Sequence, residues 1–316
     1  MRTLVTGATG FVGARLIPRL LAADHEVRAL VRDRERYQAP PGADVYEGDV
    51  LKPGSFETSL QDVDVAYYLI HSMRAGSDFE ERDRLAARRF AEAASDAGVD
   101  RVIYLGGLGE AGDQLSQHLR SRREVEFILG EGSYELTTLR AAIIVGAGSA
   151  GFEIVRQLVS KLPVMVTPRW VQNECQPIAI EDVLTYLVGV AETPATAGET
   201  YEIGGPDVLT YAEMLRRTAV AMGRRPPKIL SVPVLTPRLS AYWVGLMTDA
   251  DWRVARPLID GLRTPVVVTD DSITTHITTD LTPFDEAVRR ALAEAEADGQ
   301  GEQDGTPKGV GEPTDV

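Results

Sequence analysis

The sequence predicts a doubly wound α/β fold of the Rossmann type, a parallel sheet with helices on both faces, followed by a small C-terminal substrate lobe. Three observations predict it. Short apolar runs alternate with amphipathic stretches through the first half, a glycine-rich turn joins the first run to the first amphipathic stretch, and the rhythm changes at about Gly146, where prolines gather. Strands that alternate with helices imply βαβ units, and such units build a parallel sheet covered on both sides.

Taken in order, Leu4–Thr6, Val27–Val31, Val45–Glu47, Val63–Leu69, Val102–Leu105 and Thr137–Val145 read as strands. Between them Val12–Ala23, Pro53–Leu60, Asp78–Ala97 and Ser116–Leu129 read as helices. In the longest, Phe79, Leu85, Ala86, Phe90 and Ala93 recur at helical spacing, and Gly98 follows as a stop signal. Beyond Gly146, helices at Glu181–Ala191 and Tyr211–Met222 are separated by irregular, Pro-rich chain, the layout of a smaller lobe where pockets are often built. The expected organisation is a nucleotide-binding domain over 1–145, a lobe over 146–290 with some elements returning to the sheet, and a disordered acidic tail over 299–316. The run Ile229–Met247 is apolar, but Pro233, Pro237 and Arg238 interrupt it. It reads as a buried lobe segment or as a membrane-surface or partner-facing patch, not as a span.

Composition narrows the class of function. The 316 residues carry 33 basic and 47 acidic side chains, a formal net charge of −14. That balance argues against nucleic acid as a partner, because neutralising phosphates needs basic patches. From Glu294 to Val316 there are seven acids and one base, so part of the excess is local. Lysine is confined to Lys52, Lys161, Lys228 and Lys308, and a surface rich in Asp and Glu suits a halophile-like, salt-screened protein, although arginine over lysine also follows from GC-rich coding. A lone cysteine, Cys175, excludes an intramolecular disulfide framework and a cysteine-based zinc site. The four histidines are scattered, without metal-ligand spacing or a Ser–His–acid pattern, so no metal is expected. No uninterrupted apolar stretch of ~18 residues appears, and the N-terminus enters directly into a strand-like run, so a cytoplasmic protein is expected.

The strongest local motif is Thr6-Gly7-Ala8-Thr9-Gly10-Phe11-Val12-Gly13. Gly7 permits a tight turn, Gly10 lets backbone approach a diphosphate, and Gly13 allows close helix–strand packing. The helix N-terminus then offers unpaired N–H groups and the positive end of its dipole. Gly7, Thr9, Gly10, Phe11, Val12 and Gly13 are therefore the expected diphosphate cradle of a dinucleotide. After the second strand the chain reads Leu30-Val31-Arg32-Asp33-Arg34, with Arg36 close by. A guanidinium at Arg32 suits the 2′-phosphate of NADP(H) through paired hydrogen bonds, while Asp33 keeps NAD(H) open. Asp49, after the third strand, can accept from an adenine amino group while Val50 packs on the ring, and the same aspartate can cap the helical run that follows. Leu69 and His71, after the fourth strand, fall beside the ribose and nicotinamide by the topological-switch rule.

With these residues in view, the chain resembles the extended short-chain dehydrogenase/reductase superfamily, and within it the atypical NAD(P)H-binding branch of NmrA-like and YbjT-like proteins. The resemblance covers about residues 1–290. It rests on the glycine turn, Gly48-Asp49-Val50, Tyr104-Leu105-Gly106-Gly107, Leu115–Glu126, Leu139-Arg140-Ala141-Ala142-Ile143-Ile144 and Gln176-Pro177-Ile178-Ala179-Ile180-Glu181-Asp182-Val183. It implies an NAD(P)H-binding oxidoreductase acting on a small molecule. The superfamily also contains non-catalytic redox-sensing regulators and an accessory subunit of respiratory complex I, so association with a membrane periphery or a respiratory complex stays open.

Active members carry a serine after the fifth strand, then a tyrosine followed four residues later by lysine. Here the serine position is Gly106 or Gly107, and the helix alignment puts His118 in place of the tyrosine and Arg122 in place of the lysine. Either His118 serves as acid–base with Arg122 anchoring the ribose, or the site holds cofactor alone. Loss of the tyrosine and lysine argues against a sugar-nucleotide epimerase. Cys175 reads as a buried, inert thiol, Arg169 and Trp170 as loop packing or substrate contacts, and Glu181 and Asp182 as the first turn of a helix.

Overall fold

The computed structural model describes residues 1–71, 79–109, 116–232 and 264–303. Ser72, Asp78, Leu115, the part of Ile229–Met247 beyond Val232 and the tail from Asp304 lie outside the described residues.

The first half unfolds along the sequence as strand and helix in turn: β1 (Arg2–Val5), α1 (Gly13–Ala22), β2 (Glu26–Val31), β3 (Ala43–Glu47), β4 (Val65–Tyr68), α2 (Phe79–Asp96), β5 (Arg101–Gly107), α3 (Gln117–Leu129) and β6 (Glu135–Ala141). The second half adds β7 (Ile144–Val145), α4 (Ala150–Lys161), β8 (Val164–Pro168), β9 (Glu174–Cys175), β10 (Ile178–Ala179), α5 (Ile180–Glu192), β11 (Thr200–Ile203), β12 (Leu209–Thr210), α6 (Tyr211–Ala221), β13 (Lys228–Val232) and α7 (Phe284–Gln303). Seven strands form one parallel sheet in the order β11-β6-β5-β4-β1-β2-β3. This is the doubly wound Rossmann arrangement.

Alternation along each strand supplies two core layers. Val5, Ala29, Tyr67, Ile103 and Leu139 point to the layer formed by α1 and α5, where they meet Leu16, Ile17, Leu20, Val183 and Leu187. Leu4, Leu30, Ala66, Tyr68, Val102 and Tyr104 point to the opposite layer, against Ala86, Phe90, Val125 and Ile128 of α2 and α3. The central strands β1, β4 and β5 are buried on both faces, which is why they read as near-continuous apolar runs. A third cluster forms the lobe core, with Phe152 and Val155 of α4, Met214 of α6, and Phe284 and Val288 of α7.

Four local expectations change. The segment Pro53–Leu60 forms only a single 3₁₀ turn over Glu57–Leu60, because Pro53 cannot donate and Gly54 takes a left-handed φ of 82° that redirects the chain. Thr137–Val145 is broken into β6 and β7. In α2 the buried stripe is Phe79, Asp83, Ala86, Ala87, Phe90 and Ala94, and Leu85 falls off it into solvent. α7 continues past Asp298 to Gln303, beyond the point where apolar residues give out.

Phe90 is fully buried, with its ring centroid 5.0 Å from that of Tyr68. Phe90→Ala is expected to destabilise the protein by about 3–5 kcal/mol, from lost burial and the cavity left behind. Urea unfolding followed by circular dichroism checks this.

Candidate functional site

The site lies where the sheet order reverses. β2 and β3 lie on one side of β1, and β4, β5 and β6 on the other, so a crevice opens beyond the carboxyl ends of β1 and β4. Thr6 closes its floor. Fully buried, its N–H and its hydroxyl both donate to the Tyr67 carbonyl, at 3.0 and 2.9 Å, and its hydroxyl accepts from the Leu69 N–H at 3.1 Å.

The glycine turn follows directly. Gly7 has a left-handed φ of 66°, and a Cβ there would lie 2.8 Å from the Leu69 carbonyl oxygen. A Cβ on Gly13 would lie 2.2 Å from the Gly7 carbonyl oxygen, an impossible contact. The Gly10 N–H donates to that same oxygen at 2.9 Å, and Thr9 and Gly10 are exposed. Val12 precedes α1, and no side chain caps that helix. The Ala14 and Arg15 N–H groups donate to the Gly10 and Val12 carbonyls, at 3.0 and 3.1 Å, so it is the N–H groups ahead of them, at Phe11 to Gly13, that the turn offers to an external acceptor. An exposed turn with glycine at its points of closest approach, opening an uncapped helix, fits a dinucleotide diphosphate.

The turn is braced from outside. The Arg15 guanidinium donates to the carbonyls of Phe11 and Ala147, each at 2.9 Å, and to Glu294 at 2.6 Å. It also lies 4.6 Å from the Phe11 ring centroid. Gly146 admits that ring, since a Cβ there would come within 2.9 Å of Phe11 Cζ.

On the other arm of the crevice, Arg32, Arg34 and Arg36 are all exposed beyond β2. Asp33 Oδ1 accepts from the N–H groups of Glu35 and Arg36, at 3.0 and 3.2 Å, so this carboxylate shapes the turn that carries the arginines. Beyond β3, a Cβ on Gly48 would lie 2.6 Å from the Ser55 carbonyl oxygen. Asp49 Oδ1 accepts from the Leu51 N–H at 2.9 Å, and Val50 is buried.

Across the crevice, half-buried Leu69 leads to His71, whose Nδ1 is 3.0 Å from Oδ2 of Asp83 on α2. Asp83 is 1% exposed. The His118 ring of α3 is 5.0 Å from the His71 ring. Arg122, one turn further along α3, is buried and donates to the carbonyls of Ile70, at 3.4 Å, and Leu105. Its guanidinium stacks 4.7 Å from the Tyr104 ring centroid, and the Tyr104 hydroxyl returns a bond to the Arg122 carbonyl at 3.0 Å. Arg122 thereby ties the ends of β4 and β5 to α3. Gly106 and Gly107 end β5 without a hydroxyl.

Burial and the Arg122 charge hold the His71 imidazole below its ordinary pKa, with Asp83 opposing them. Burial, His71 and Arg122 hold His118 well below. Both imidazoles are therefore neutral at pH 7. His71 Nε2 and His118 Nδ1 are buried and have no hydrogen-bond partner among the described residues.

The structure thus brings His71, His118 and Arg122 together, and sets the glycine turn against Leu69. Arg32, Asp49 and Val50 line the opposite arm, beyond β2 and β3. Sequence reasoning missed Asp83. Its signal was an acid on the apolar stripe of α2, four residues after Phe79 and three before Ala86. Cys175 belongs to the lobe core, where burial pushes its thiol up to about 11. Trp170 packs edge-on against Tyr211, with centroids 6.4 Å apart. Asp182, in the first turn of α5, accepts from both the N–H and the hydroxyl of Thr282, at 2.8 and 3.0 Å. No metal-binding cluster of His, Cys, Asp and Glu occurs among the described residues, and no described helix is long and apolar enough to cross a membrane.

Residues 7–142 match a family of NAD(P)H-binding domains. The chain is 25% identical to a UDP-glucose 4-epimerase of Vibrio cholerae over 73% of its length and 78% of the relative's. It is 26% identical to the mitochondrial NADH dehydrogenase [ubiquinone] 1 alpha subcomplex subunit 9 of Arabidopsis thaliana, over 72% of this chain and 60% of the relative. A crystal structure of UDP-glucuronic acid 4-epimerase from Bacillus cereus, in complex with UDP-glucuronic acid and NAD, superposes with a TM-score of 0.69. It covers 94% of this chain and 99% of its own, at 16% identity, and shows the same fold.

The contact distances rank the glycines. Gly13→Ala is expected to weaken binding of NADPH by about tenfold or more, about 1.4 kcal/mol. Gly10→Ala, whose Cβ would meet the Gly7 carbonyl oxygen at 3.1 Å, should weaken it less. Calorimetric titration of the folded variants checks the order.

Proposed function

We propose, from the match of residues 7–142 to NAD(P)H-binding domains and the similarity to the relatives above, that the chain is a member of the extended short-chain dehydrogenase/reductase superfamily and an NADP(H)-dependent oxidoreductase acting on a small molecule. One observation carries this reading. The uncapped, glycine-lined turn at β1 continues through Leu69 into a half-buried pair of imidazoles, His71 beyond β4 and His118 on α3, so a dinucleotide held in the turn would present its nicotinamide to titratable groups.

In this reading the backbone of Gly7 to Gly13 holds the diphosphate, and Arg32 binds the 2′-phosphate, with Arg34 and Arg36 adding positive charge. Asp49 and Val50 take the adenine, while Leu69 and His71 lie at the ribose and nicotinamide. Arg122 fixes the strand ends beneath them. The bound cofactor supplies or accepts hydride. The positions equivalent to the superfamily's serine, tyrosine and lysine are glycine, His118 and Arg122, so the epimerase activity of the Vibrio cholerae relative is not carried over.

A second reading is an accessory role in a respiratory complex, with bound cofactor in place of turnover. It is favoured by the similarity to the Arabidopsis thaliana subunit and by the exposed Val164, Val166 and Leu230 on the paired strands β8 and β13. Co-purification with membranes and no turnover across quinone, aldehyde and ketone acceptors would support it over catalysis.

Mass spectrometry of the small molecule released from freshly purified protein tests the cofactor directly, and NADP(H) is expected. Arg32→Ala should weaken NADPH by about tenfold or more while leaving NADH nearly unchanged, because an exposed guanidinium bonded to a phosphate contributes about 1.5–3 kcal/mol. Equal losses for both cofactors would remove the 2′-phosphate assignment.

A further inference from the structure

Resting on the oxidoreductase reading, we propose that Asp83, His71 and His118 form the proton-transfer site for the oxygen of an alcohol or carbonyl substrate, with His71 Nε2 as the atom that exchanges the proton. The first support is geometric. A buried polar atom without a partner costs about 1–3 kcal/mol, yet two such atoms stand in adjacent rings, His71 Nε2 and His118 Nδ1, beyond the same strand end. A substrate oxygen would supply the partner that both lack among the described residues.

The second support is the tautomer. A carboxylate oxygen accepts, so the 3.0 Å contact to Asp83 puts the hydrogen on His71 Nδ1 and leaves Nε2 as a bare lone pair. Asp83 comes from α2, and His71 lies three residues beyond β4. The carboxylate therefore orients the ring and stabilises the charge that the ring gains on protonation. His118, from α3, adds a second neutral contact to the oxygen without adding charge.

Other groups are unsuited. Arg122 is committed to two carbonyls. Tyr68 and Tyr104 are buried in the core, and burial raises both phenols. The end of β5 has glycine where a hydroxyl would be needed.

In oxidation, the alcohol O–H bond breaks and its proton goes to His71 Nε2. The C–H bond on the same carbon breaks with its electron pair, which leaves as hydride to the oxidised nicotinamide. The products are the carbonyl compound, an imidazolium paired with Asp83 and the reduced cofactor. Reduction returns the same proton to the same oxygen.

Among the described residues, the groups facing His71 are Asp83 from α2, and His118 and Arg122 from α3. Burial and Arg122 lower its pKa from 6.5, so the base form persists below that pH. Alcohol oxidation should therefore be level above pH 6.5 and fall in acid with one protonation. Ketone reduction, which needs the imidazolium, should fall as pH rises through the same pKa.

Nitrogen-edited NMR of the full-length protein, labelled at histidine and assigned with His71→Gln, tests the site without a known substrate. His71 is expected as the Nδ1–H tautomer. Asp83→Asn, which keeps the side-chain volume, should lower its pKa further. A dominant Nε2–H tautomer, or a His71 pKa unmoved by Asp83→Asn, overturns the proposal. With NADP⁺ and a panel of secondary alcohols, His71→Gln should lose about a hundredfold or more in kcat at saturating NADP⁺. Turnover by His71→Gln at the parental rate and pH profile also overturns it. Absence of any NADP⁺ or NADPH binding by the parent protein would instead defeat the oxidoreductase reading, leaving the NMR result to decide the site.

Discussion

The carbonyl oxygen of Gly7 is the point on which the arrangement turns. It accepts from the Gly10 N–H at 2.9 Å, and a Cβ on Gly13 would lie 2.2 Å away. Gly7 itself has no space for a side chain on the side of Leu69. Three chain segments therefore meet at backbone distance: the end of β1, the start of α1 and the exit of β4. Because α1 begins so close to β1, its open N–H groups lie at the mouth of the crevice. Because β4 exits against the same turn, whatever follows it stands within a few residues of the cradle, and in this chain that is His71.

The two arms of the crevice differ in electrostatic character. Beyond β2 the arginines are exposed, and the neighbouring Asp33 and Glu47 carboxylates accept backbone N–H groups at the turn. Such a surface suits a hydrated, charged phosphate and would be sensitive to salt. Beyond β4 and β5 the groups are buried. The guanidinium of Arg122 is bound by backbone oxygens, and its charge, together with burial, keeps the facing imidazoles neutral. In the proposed site the neutral imidazoles would exchange the proton and the exposed arginines would bind the phosphate. The net charge of −14 describes neither arm.

Much of this was legible in the sequence, for physical reasons. Strands buried on both faces leave unbroken apolar runs, and the turn needs glycine at fixed intervals, so the sheet and the cradle are written locally. The 3₁₀ turn at Glu57–Leu60 was harder to read, since amphipathic pattern alone does not reveal that Pro53 and Gly54 have already consumed the segment. Leu85 shows the converse error, an apolar residue near helical spacing that lies outside the true stripe. Asp83 shows why sites are harder than folds. Its partner is His71, on another element, and no local pattern announces a bond between them. What the sequence did contain was a violation, an acid where the helix should have been apolar, and such violations are where function is worth seeking.

The division of the chain at about residue 145 describes its sequence rhythm better than its energetics. α5 packs on the same face of the sheet as α1, and β11 extends the sheet beside β6, so the first half alone would leave Leu139 and Tyr67 facing solvent. The Tyr67 hydroxyl donates to the Leu187 carbonyl of α5 at 3.1 Å. Asp182 holds Thr282, and α7, which starts two residues later, returns Glu294 to Arg15. Arg15 in turn grips the Phe11 carbonyl within the cradle. The turn that would bind the diphosphate is therefore supported at one end by β4 and at the other, through Arg15, by the last described helix, so the lobe whose elements return to the sheet also braces the cradle.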